Sequence, residues 1–219
     1  MKSVIDLETL FEKQKQLDDY IIKKKGLDTL LKQDLLNNTV LALQVEICEL
    51  ANEWRGFKHW SEDREPRSRV KIHCELCGPE DNPKYTREDA GRCLNCCTGV
   101  ISFKNPLLEE YVDCLHFFLS IARQIGLYAD DLYSWEDELE VDTTVLFTDL
   151  LHNVGMINRL EFLSNKPTDS YKFQRQQFRA SIYIFFNLGK QRLGISYEDM
   201  VQAYLDKWQI NIQRQESGY

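Results

Sequence analysis

The sequence predicts an all-α protein, a helical bundle that carries one small inserted element. Apolar residues recur at helical spacing over most of the 219 residues, and no convincing alternating strand is visible outside a cysteine-bearing segment. Between Ser61 and Ser102 the helical pattern gives way to charged residues, Pro, Gly and Cys. We therefore expect one helical domain, built from residues 1–66 and 101–219, with an inserted zinc-ribbon-like element at 67–100.

Three helical stretches are predicted before the inserted element. Apolar residues recur at helical spacing over residues 7–21, and a Lys-rich break ending at Gly26 separates this stretch from a short one over residues 27–35. Asn37 and Asn38 offer capping chemistry for a third helix, which should run to about Phe57.

Four more helices are predicted after the inserted element. The Asn105-Pro106 pair is a good helix start, and this helix should end near Gln124. The next stretch, residues 129–142, is rich in Asp and Glu and is expected to be a loop or a short helical turn. The remaining helices are predicted over residues 143–163, 170–188 and 197–215.

One helical stripe in the penultimate helix fits two locations. Its apolar residues suit either the core of the bundle or an interface between subunits. The sequence alone does not choose between them. The stripe consists of Tyr171, Phe178, Ile182 and Phe185.

Composition places the chain among ordinary globular proteins. It has 43% hydrophobic and 28% charged residues, and its net charge is −8. The negative balance argues against broad nucleic-acid binding, which needs a basic surface, and favours the recruitment of cations. The N-terminus lacks an apolar signal region and no stretch has the length of a membrane span, so a cytoplasmic location is the default expectation.

Two pairs of acidic residues are the most informative feature of the chain. Glu46 and Glu49 lie three apart in one apolar helix, as do Glu110 and Asp113 in another, so each pair shares a helix face. Four carboxylates brought together would repel one another, and the usual remedy is a hard divalent cation, most often Mg²⁺. The pairs therefore predict a magnesium site for phosphate chemistry. The alternative is a solvated acidic helix face, which is common.

Five of the seven cysteines crowd into the inserted element. Cys74 and Cys77 form one C-x-x-C pair, and Cys93 and Cys96 form another fifteen residues later, as in four-cysteine zinc sites. Zinc would supply the folding energy that so few apolar residues cannot. Two further residues compete as ligands: Cys97, which could exchange with Cys96, and the weaker candidate His73.

The inserted element has two possible purposes. Four basic residues lead into it and could contact an acidic partner or nucleic acid, although a solvated linker is the commoner meaning of such a run. They are Arg64, Arg67, Arg69 and Lys71. We favour a structural clip, because a site closed by four protein ligands leaves no position for chemistry. The other two cysteines, Cys48 and Cys114, are predicted to be small buried core residues.

The last predicted helix carries a polar stripe. Lys207, Asn211 and Arg214 follow one another at steps of four and three residues, so they share one face. A cation, an amide and a guanidinium in this arrangement can bind phosphate oxygens, with bidentate geometry from Arg. An ordinary amphipathic helix would show a similar pattern.

Four segments together match the motifs of a known enzyme family. They are the acidic pairs, the segment Phe57-Lys58-His59-Trp60, the segment Gln14-Lys15-Gln16-Leu17-Asp18, and the closing run from Lys207 to Tyr219. With these motifs the chain resembles the dimeric all-α dUTP diphosphatases, relatives of the MazG-type nucleoside triphosphate pyrophosphohydrolases. The sixty residues between Glu49 and Glu110 exceed the usual spacing, and the cysteine segment accounts for the excess.

The resemblance implies Mg²⁺-dependent hydrolysis of dUTP, and also of dUDP, to dUMP by a homodimer. Glu49 would take the proton of the attacking water, and all four acidic residues would hold Mg²⁺. The implied phosphate ligands are Lys58, Lys207 and Arg214, with Asn211 beside them. The implied deoxyuridine pocket consists of Gln14, Asp18 and Trp60, and the family pattern places an Asn near Asp18.

Two other functions fit the same residues. One is an all-α pyrophosphohydrolase that acts on dCTP or on a wider set of nucleoside triphosphates, because the acidic pairs do not fix the base. The other is a non-catalytic interaction protein that uses its zinc ribbon. Rates with different nucleotides, and the effect of replacing Glu49, discriminate among the three.

Overall fold

The computed structural model describes residues 6–74, 101–133, 137–159 and 167–218, with the backbone alone for 71–74, 101, 102 and 167–169. In these ranges the chain is mostly helical, which confirms the all-α prediction. The helices are α1 (Leu7–Lys25), α2 (Lys32–Trp54), α3 (Pro106–Gln124), α4 (Thr143–Met156), α5 (Pro167–Gln191) and α6 (Tyr197–Glu216). Short 3₁₀ turns occupy Leu27–Thr29 and Ala129–Leu132, and the strands are β1 (Val70–Cys74) and β2 (Ile101–Lys104).

Side-chain caps fix the start of several helices. The Asp6 carboxylate accepts a hydrogen bond from the Thr9 amide at 3.0 Å at the start of α1. The Asn105 side chain does the same for the Leu108 amide at the start of α3, also at 3.0 Å. The predicted start at Asn105-Pro106 is therefore confirmed. Gly26 ends α1 with φ +66°, in the left-handed region that favours glycine.

Some predicted boundaries were wrong. Helix α2 already begins at Lys32, so Asn37 and Asn38 lie inside it and cap nothing. It ends at Trp54 rather than near Phe57, because the next residue, Arg55, takes up a left-handed backbone conformation with φ +64°. Helix α4 ends at Met156, earlier than predicted. These differences arise because apolar periodicity continues past the residue where the backbone turns.

The core of the bundle lies where α3 meets its neighbours. Helix α3 packs on α2, on α6 and on α1, while α4 packs on both α2 and α5. The stripe on α5 belongs to this core at three of its positions, Phe178, Ile182 and Phe185, whereas Tyr171 is 60% exposed. The Phe185 ring stacks on Tyr111 of α3 with 4.2 Å between centroids. None of the described helices has the length and apolar character that a membrane span requires.

The two cysteines of the acidic helices differ in environment. Cys114 is buried in the core, as predicted. The same prediction was wrong for Cys48, which is exposed. Cys48 shares its outward helix face with Leu41 and Val45, which are 62% and 47% exposed. This face of α2 points away from the core.

The two strands pair at the ends of the inserted segment. They run antiparallel, with Val70 opposite Lys104 and Lys71 opposite Phe103. Residues 75–100 lie outside the described residues, and so do Cys77, Cys93 and Cys96. Only the backbone of Cys74 is described, at the end of β1. The zinc site and the domain boundaries therefore remain predictions.

Close helix packing at Gly189 supports a stability prediction. A Cβ at this position would lie 2.4 Å from the Tyr111 hydroxyl oxygen, which is itself hydrogen-bonded to the Phe185 carbonyl. We expect Gly189→Ala to lower the free energy of unfolding by about 1–3 kcal/mol, despite a better helix propensity, because the buried ring has no space to move. Urea unfolding measures the change.

The matched control is Gly155→Ala in α4. Its added Cβ would meet only the far end of the flexible Gln44 side chain, at 2.9 Å from Nε2. We expect a loss below about 1 kcal/mol there. Equal losses at the two glycines would contradict the packing argument.

Candidate active site

Three carboxylates converge between α2 and α3. One oxygen from each of Glu46, Glu110 and Asp113 lies within 4.8 Å of the others, and all three residues are partly buried. We call these residues the carboxylate cluster. Helix α2 provides the first and α3 the other two, and they meet because the two helices pack against each other. Glu49, the fourth predicted ligand, is more exposed and is not part of this set.

The linker that follows α2 ties the two cluster helices together. The Arg67 amide donates to the Glu53 carbonyl at 3.0 Å, and the Arg67 carbonyl accepts from the Leu107 amide at 3.2 Å. The Arg67 guanidinium also pairs with the Glu53 side chain at 3.4 Å. Because Glu53 lies at the end of α2 and Leu107 at the start of α3, these bonds fix the separation of the helices near the cluster.

Electrostatics within the cluster favour protonation. Burial, with the negative charges of Asp113 and Glu49, raises the pKa of Glu46 to about 7. The pKa of Glu110 is also raised to about 7 by burial, by Asp113, by Glu49 and by Glu46. In both cases Lys207 opposes the rise. The Glu49 carboxylate is therefore close enough to act on both groups, although it lies outside the cluster.

One cation touches the cluster directly. The Lys207 ammonium lies 2.6 Å from a carboxylate oxygen of Asp113, and the two side chains are only 22% and 20% exposed. Lys207 belongs to α6, which packs on α3. Asn211 and Arg214 follow one and two turns later on α6, where the first is partly buried and the second is exposed. The predicted stripe thus begins at the cluster.

The raised pKa values predict how Mg²⁺ and pH act together on stability. In the folded protein without metal, the pKa of Glu46 and that of Glu110 are about 7, above the ordinary value of 4.5 for a glutamate, so both groups keep their protons to about pH 7. Their contribution to the free energy of unfolding is present below about pH 4.5, the pKa in the unfolded protein. It is lost as the pH rises through about 7, the pKa in the folded protein. Mg²⁺ needs the ionised forms, so we expect it to raise Tm more at about pH 8 than at about pH 5.5.

Differential scanning fluorimetry with Mg²⁺ and with EDTA measures this difference. A double variant, Glu46→Gln with Glu110→Gln, provides the control, because it removes both titrating groups. Its Tm should respond to Mg²⁺ weakly and equally at the two pH values. An equal response of the unmodified protein at both pH values would contradict the prediction.

A second polar group, built around Gln14, lies buried between α1, α3 and α6. The Gln14 side-chain nitrogen donates to Asp18 at 2.7 Å and to Ser120 at 3.0 Å. Its side-chain oxygen lies 2.7 Å from Nδ1 of His116 and accepts from the Tyr204 hydroxyl at 2.8 Å. Gln14 is 3% exposed, so these four contacts complete its hydrogen bonding.

Asp18 is held by donors on α3. The Ser120 hydroxyl donates to its Oδ1 at 2.7 Å, and the Arg123 guanidinium donates to its Oδ2 at 2.6 Å. Arg123 also reaches the exposed Asp19 at 3.0 Å. Burial raises the pKa of Asp18, and the hydrogen bonds from Ser120 and Gln14 and the Arg123 charge oppose that rise. The carboxylate predicted to touch substrate is thus occupied by contacts within the protein.

The α3 members of this polar group were not predicted from the sequence. His116, Ser120 and Arg123 follow Asp113 at steps of three, four and three residues, so they continue the face of α3 that carries this predicted metal ligand. This helical spacing could have identified the three residues as members of the same face as Asp113. Tyr204 offered no comparable signal, because it lies at an apolar position of α6 and is fully buried.

His116 is buried, and one of its ring nitrogens lacks a hydrogen-bond partner within the described ranges. Its ring stacks on Tyr204 with 4.2 Å between centroids. Burial, with a smaller contribution from the charge of Lys207, lowers the pKa of His116 to about 3. Its Nε2 atom is buried and has no hydrogen-bond partner among the described residues. Such an atom is costly unless a ligand satisfies it.

A cavity of about 310 Å³ lies beside this polar group. Asp18, Phe117 and Ser120 line one side, and Leu35 and Thr39 of α2 line another. Glu46 lies seven positions after Thr39 on α2, which corresponds to about two helical turns, or about 10 Å. The cavity and the carboxylate cluster therefore both lie along the pair formed by α2 and α3.

Lys58 and Trp60 lie in the turn after α2. The Lys58 ammonium donates to the Asn52 side chain. Trp60 is 68% exposed and meets Phe57 and His59 edge-on, with 5.8 and 5.0 Å between centroids. Within the described part of the chain, no hydrogen bond or ion pair joins either residue to the carboxylate cluster. Their contacts with substrate therefore stay predictions.

Comparison with known proteins agrees with this geometry. A family model described as dUTPase matches residues 6–77 and 102–219, which include both acidic pairs and the six helices α1 to α6. The chain belongs to this family. Membership makes the protein a nucleoside triphosphate pyrophosphohydrolase with dUTP diphosphatase activity. Enzymes of this family generally use Mg²⁺. No individual curated protein matches the chain.

Proposed function

We propose that this dUTP diphosphatase hydrolyses dUTP to dUMP and pyrophosphate, and dUDP to dUMP and phosphate, in the groove between α2 and α3. The catalytic Mg²⁺ would be held by Glu46, Glu49, Glu110 and Asp113. The observation that carries the proposal is the approach of three carboxylate oxygens to within 4.8 Å of one another. Ionised carboxylates at this separation repel one another, and a hard cation such as Mg²⁺, which prefers carboxylate oxygens as ligands, relieves the repulsion.

The chemistry of the donors fits this metal. All four residues offer oxygen, and none offers the nitrogen or sulfur that softer metals prefer. When bound at such a site, Mg²⁺ neutralises charge on the phosphate chain and lowers the pKa of a coordinated water. Glu49 would take the proton of the attacking water. Its exposure supports this role, because solvent can reach its carboxylate while it still acts electrostatically on the cluster.

Cations on two elements would bind the phosphate chain. Lys207 is best placed, because its ammonium already lies at the cluster. Arg214 would extend this contact along α6 with its planar guanidinium, and Asn211 would add an amide donor between them. Lys58 would approach from the turn after α2.

The nucleoside end would occupy the cavity beside Gln14 and Asp18. About 10 Å along α2 separate this cavity from the cluster, so one nucleotide can reach both with its base and its phosphate chain. His116 is bonded to Gln14 and precedes Phe117, which lines the cavity, and its buried Nε2 has no partner among the described residues, so we propose that this atom would bind the base. Trp60 would stack on the base, as its exposed indole allows.

A pyrophosphate-release assay tests the proposal. Purified protein is given dUTP with Mg²⁺ and then with EDTA, and turnover should stop when the metal is removed. Rates with dUTP, dCTP and dTTP are compared in parallel. Equal rates with the three nucleotides would contradict uracil specificity and support a broader pyrophosphohydrolase activity. Turnover in EDTA would contradict the metal mechanism.

The role of Glu49 has its own test. We expect Glu49→Gln to reduce kcat by about 10²–10⁴-fold with a small change in KM, because the proton acceptor is lost. Glu8→Gln, at an exposed position in the first turn of α1, is the control and should leave kcat unchanged. Full activity of Glu49→Gln would remove this residue from the mechanism.

The homodimer is also part of the proposal. The outward face of α2 supports it, because Leu41 and Val45 are largely exposed there, with Cys48 on the same face. We expect a mass of two chains by light scattering, and dissociation when Val45 is replaced by Glu. A monomer at micromolar concentration would contradict this part.

We further propose that residues 67–100 form a structural zinc-binding insertion held by Cys74, Cys77, Cys93 and Cys96. The spacing of the two cysteine pairs supports it. Elemental analysis should find one zinc per chain, and Cys93→Ser with Cys96→Ser should abolish it. Loss of zinc with retained dUTP turnover would indicate a structural clip.

A further inference from the structure

We infer that Asp18 and Arg123 act through Gln14 to fix the tautomer of His116. The tautomer in turn decides whether Nε2 of His116 would accept a hydrogen bond from the base or donate one to it. The inference about the base rests on the proposed function. The tautomer itself can be measured in the protein without nucleotide. The hydrogen-bond donors and acceptors can be assigned in order from Arg123 to His116.

The first step orients the Gln14 amide. Arg123 carries donors only, and its contact at 2.6 Å requires an acceptor on Asp18. The other oxygen of Asp18 lies 2.7 Å from the Gln14 side chain, and an ionised carboxylate accepts only. The end of the Gln14 amide that faces Asp18 must therefore be its nitrogen. Ser120 supports this orientation by accepting from the same nitrogen at 3.0 Å.

The second step assigns the proton on His116. With its nitrogen toward Asp18, Gln14 presents its oxygen to Nδ1 of His116 at 2.7 Å. A carbonyl oxygen has no hydrogen to give, so Nδ1 must carry the proton. Because the ring is neutral, Nε2 then has only a lone pair. This is the atom that is buried without a partner among the described residues.

The third step concerns the base. His116 precedes Phe117, which lines the cavity proposed for the nucleoside. For a base bound against it, a bare Nε2 would accept a hydrogen bond from the N3–H of uracil, whereas N3 of cytosine presents a lone pair and would repel it. The opposite tautomer would present N–H and reverse this preference. Asp18 is thus a positioning residue for specificity, because it sets the tautomer of His116 through Gln14.

The Asp18→Asn variant should invert the tautomer. Arg123 needs an acceptor, so the carbonyl oxygen of the new amide would face it, and the nitrogen of that amide would take the place beside Gln14. Two donors would then meet, and the Gln14 amide would rotate to present its oxygen to this nitrogen. The Gln14 nitrogen would face Nδ1 of His116, which must then accept, so the proton would move to Nε2.

Nitrogen-15 NMR of the histidine rings tests this sequence of contacts. The protein is labelled on its histidines, and His116 is identified by its loss in His116→Asn. We expect the Nδ1–H form in the unmodified protein and the Nε2–H form in Asp18→Asn. The control is Asp19→Asn, which removes a carboxylate from the same arginine without touching Gln14, and it should keep the Nδ1–H form. An Nε2–H form in the unmodified protein would overturn the inference.

A second variant covers the case in which Asp18→Asn does not fold. Gln14→Leu keeps the volume of the side chain but removes the acceptor at Nδ1, so the preference for the Nδ1–H form should disappear. An unchanged ring spectrum in the folded variants would overturn the inference. This measurement uses no nucleotide, so it stands even if dUTP is not the substrate.

Kinetics provides the specificity readout. The ratio of kcat/KM for dUTP to that for dCTP should fall at least about ten-fold in Asp18→Asn and stay constant in Asp19→Asn. A tautomer that inverts without a change in this ratio would show that His116 does not read the base. No turnover of either nucleotide by the unmodified protein would instead contradict the proposed function.

Discussion

Replacing Glu110 with Gln is expected to abolish dUTP hydrolysis and, in the absence of metal, to make the folded protein more stable. The variant loses one carboxylate of the cluster, so turnover should fall on the order of 10³-fold. Burial and the neighbouring carboxylates already raise the pKa of Glu110 to about 7. Ionisation of this group therefore costs folding free energy above neutral pH, and the neutral amide avoids that cost.

The expected gain is modest because the group is partly exposed. With this screening taken into account we expect about 1 kcal/mol at about pH 8, or roughly 2–4 °C in Tm, measured with EDTA. Mg²⁺ should remove the advantage, since the unmodified protein binds the ion and the variant binds it weakly. Loss of activity together with gain in stability distinguishes a functional cluster from ordinary structural carboxylates.

Glu109→Gln is the matched control for this experiment. Glu109 precedes Glu110 on α3 but is exposed, and it is not in the cluster. Activity and Tm should stay within the error of the unmodified protein. If Glu109→Gln and Glu110→Gln behaved alike, the cluster would not be the metal site.

Replacing Lys207 with Met should lower both activity and stability. The ammonium at 2.6 Å from Asp113 offsets the repulsion within the cluster, and its loss leaves three partly buried carboxylates without that cation. We expect a loss of about 1–2 kcal/mol in the free energy of unfolding in EDTA, because breaking a partly buried ion pair strands the remaining charge. This sign is opposite to that of Glu110→Gln.

The kinetic effect should be concentrated in phosphate binding. We expect kcat/KM for dUTP to fall about 10²-fold, because a cation at the phosphate chain is lost where water is partly excluded. The control is Lys15→Met, at a half-exposed lysine whose nearest carboxylate, that of Glu12, is 4.0 Å away. An unchanged kcat/KM in Lys207→Met would assign this lysine to stability alone.

The fold could be predicted well from local pattern. The start of α3 at Asn105-Pro106 and the start of α6 at Tyr197 were both predicted, since capping and proline chemistry act within a few residues. The boundaries of α2 were less accurate, because its first turn lacks a side-chain cap and Arg55 ends it in a left-handed conformation. Neither the missing cap nor the conformation of Arg55 can be predicted from apolar periodicity.

The burial of single residues could not be predicted as well. Cys48 and Cys114 lie in similar acidic signatures, yet the first is exposed and the second is buried. Likewise, the α5 stripe suited core and interface equally until the packing of α5 buried Phe178, Ile182 and Phe185. Burial depends on which neighbour covers a helix face, and a helix does not carry this information in its own spacing.

By itself the sequence determined the helical bundle, the two acidic pairs and the family, because each of these depends on residue types at short spacings along the chain. Only the tertiary structure decided that three carboxylates meet while Glu49 stays outside, and that Asp18 is held by Ser120 and Arg123. The bond between Asp18 and Arg123 joins residues 105 positions apart. Such contacts, and the pKa values they shift, arise only when separate helices pack together and exclude water.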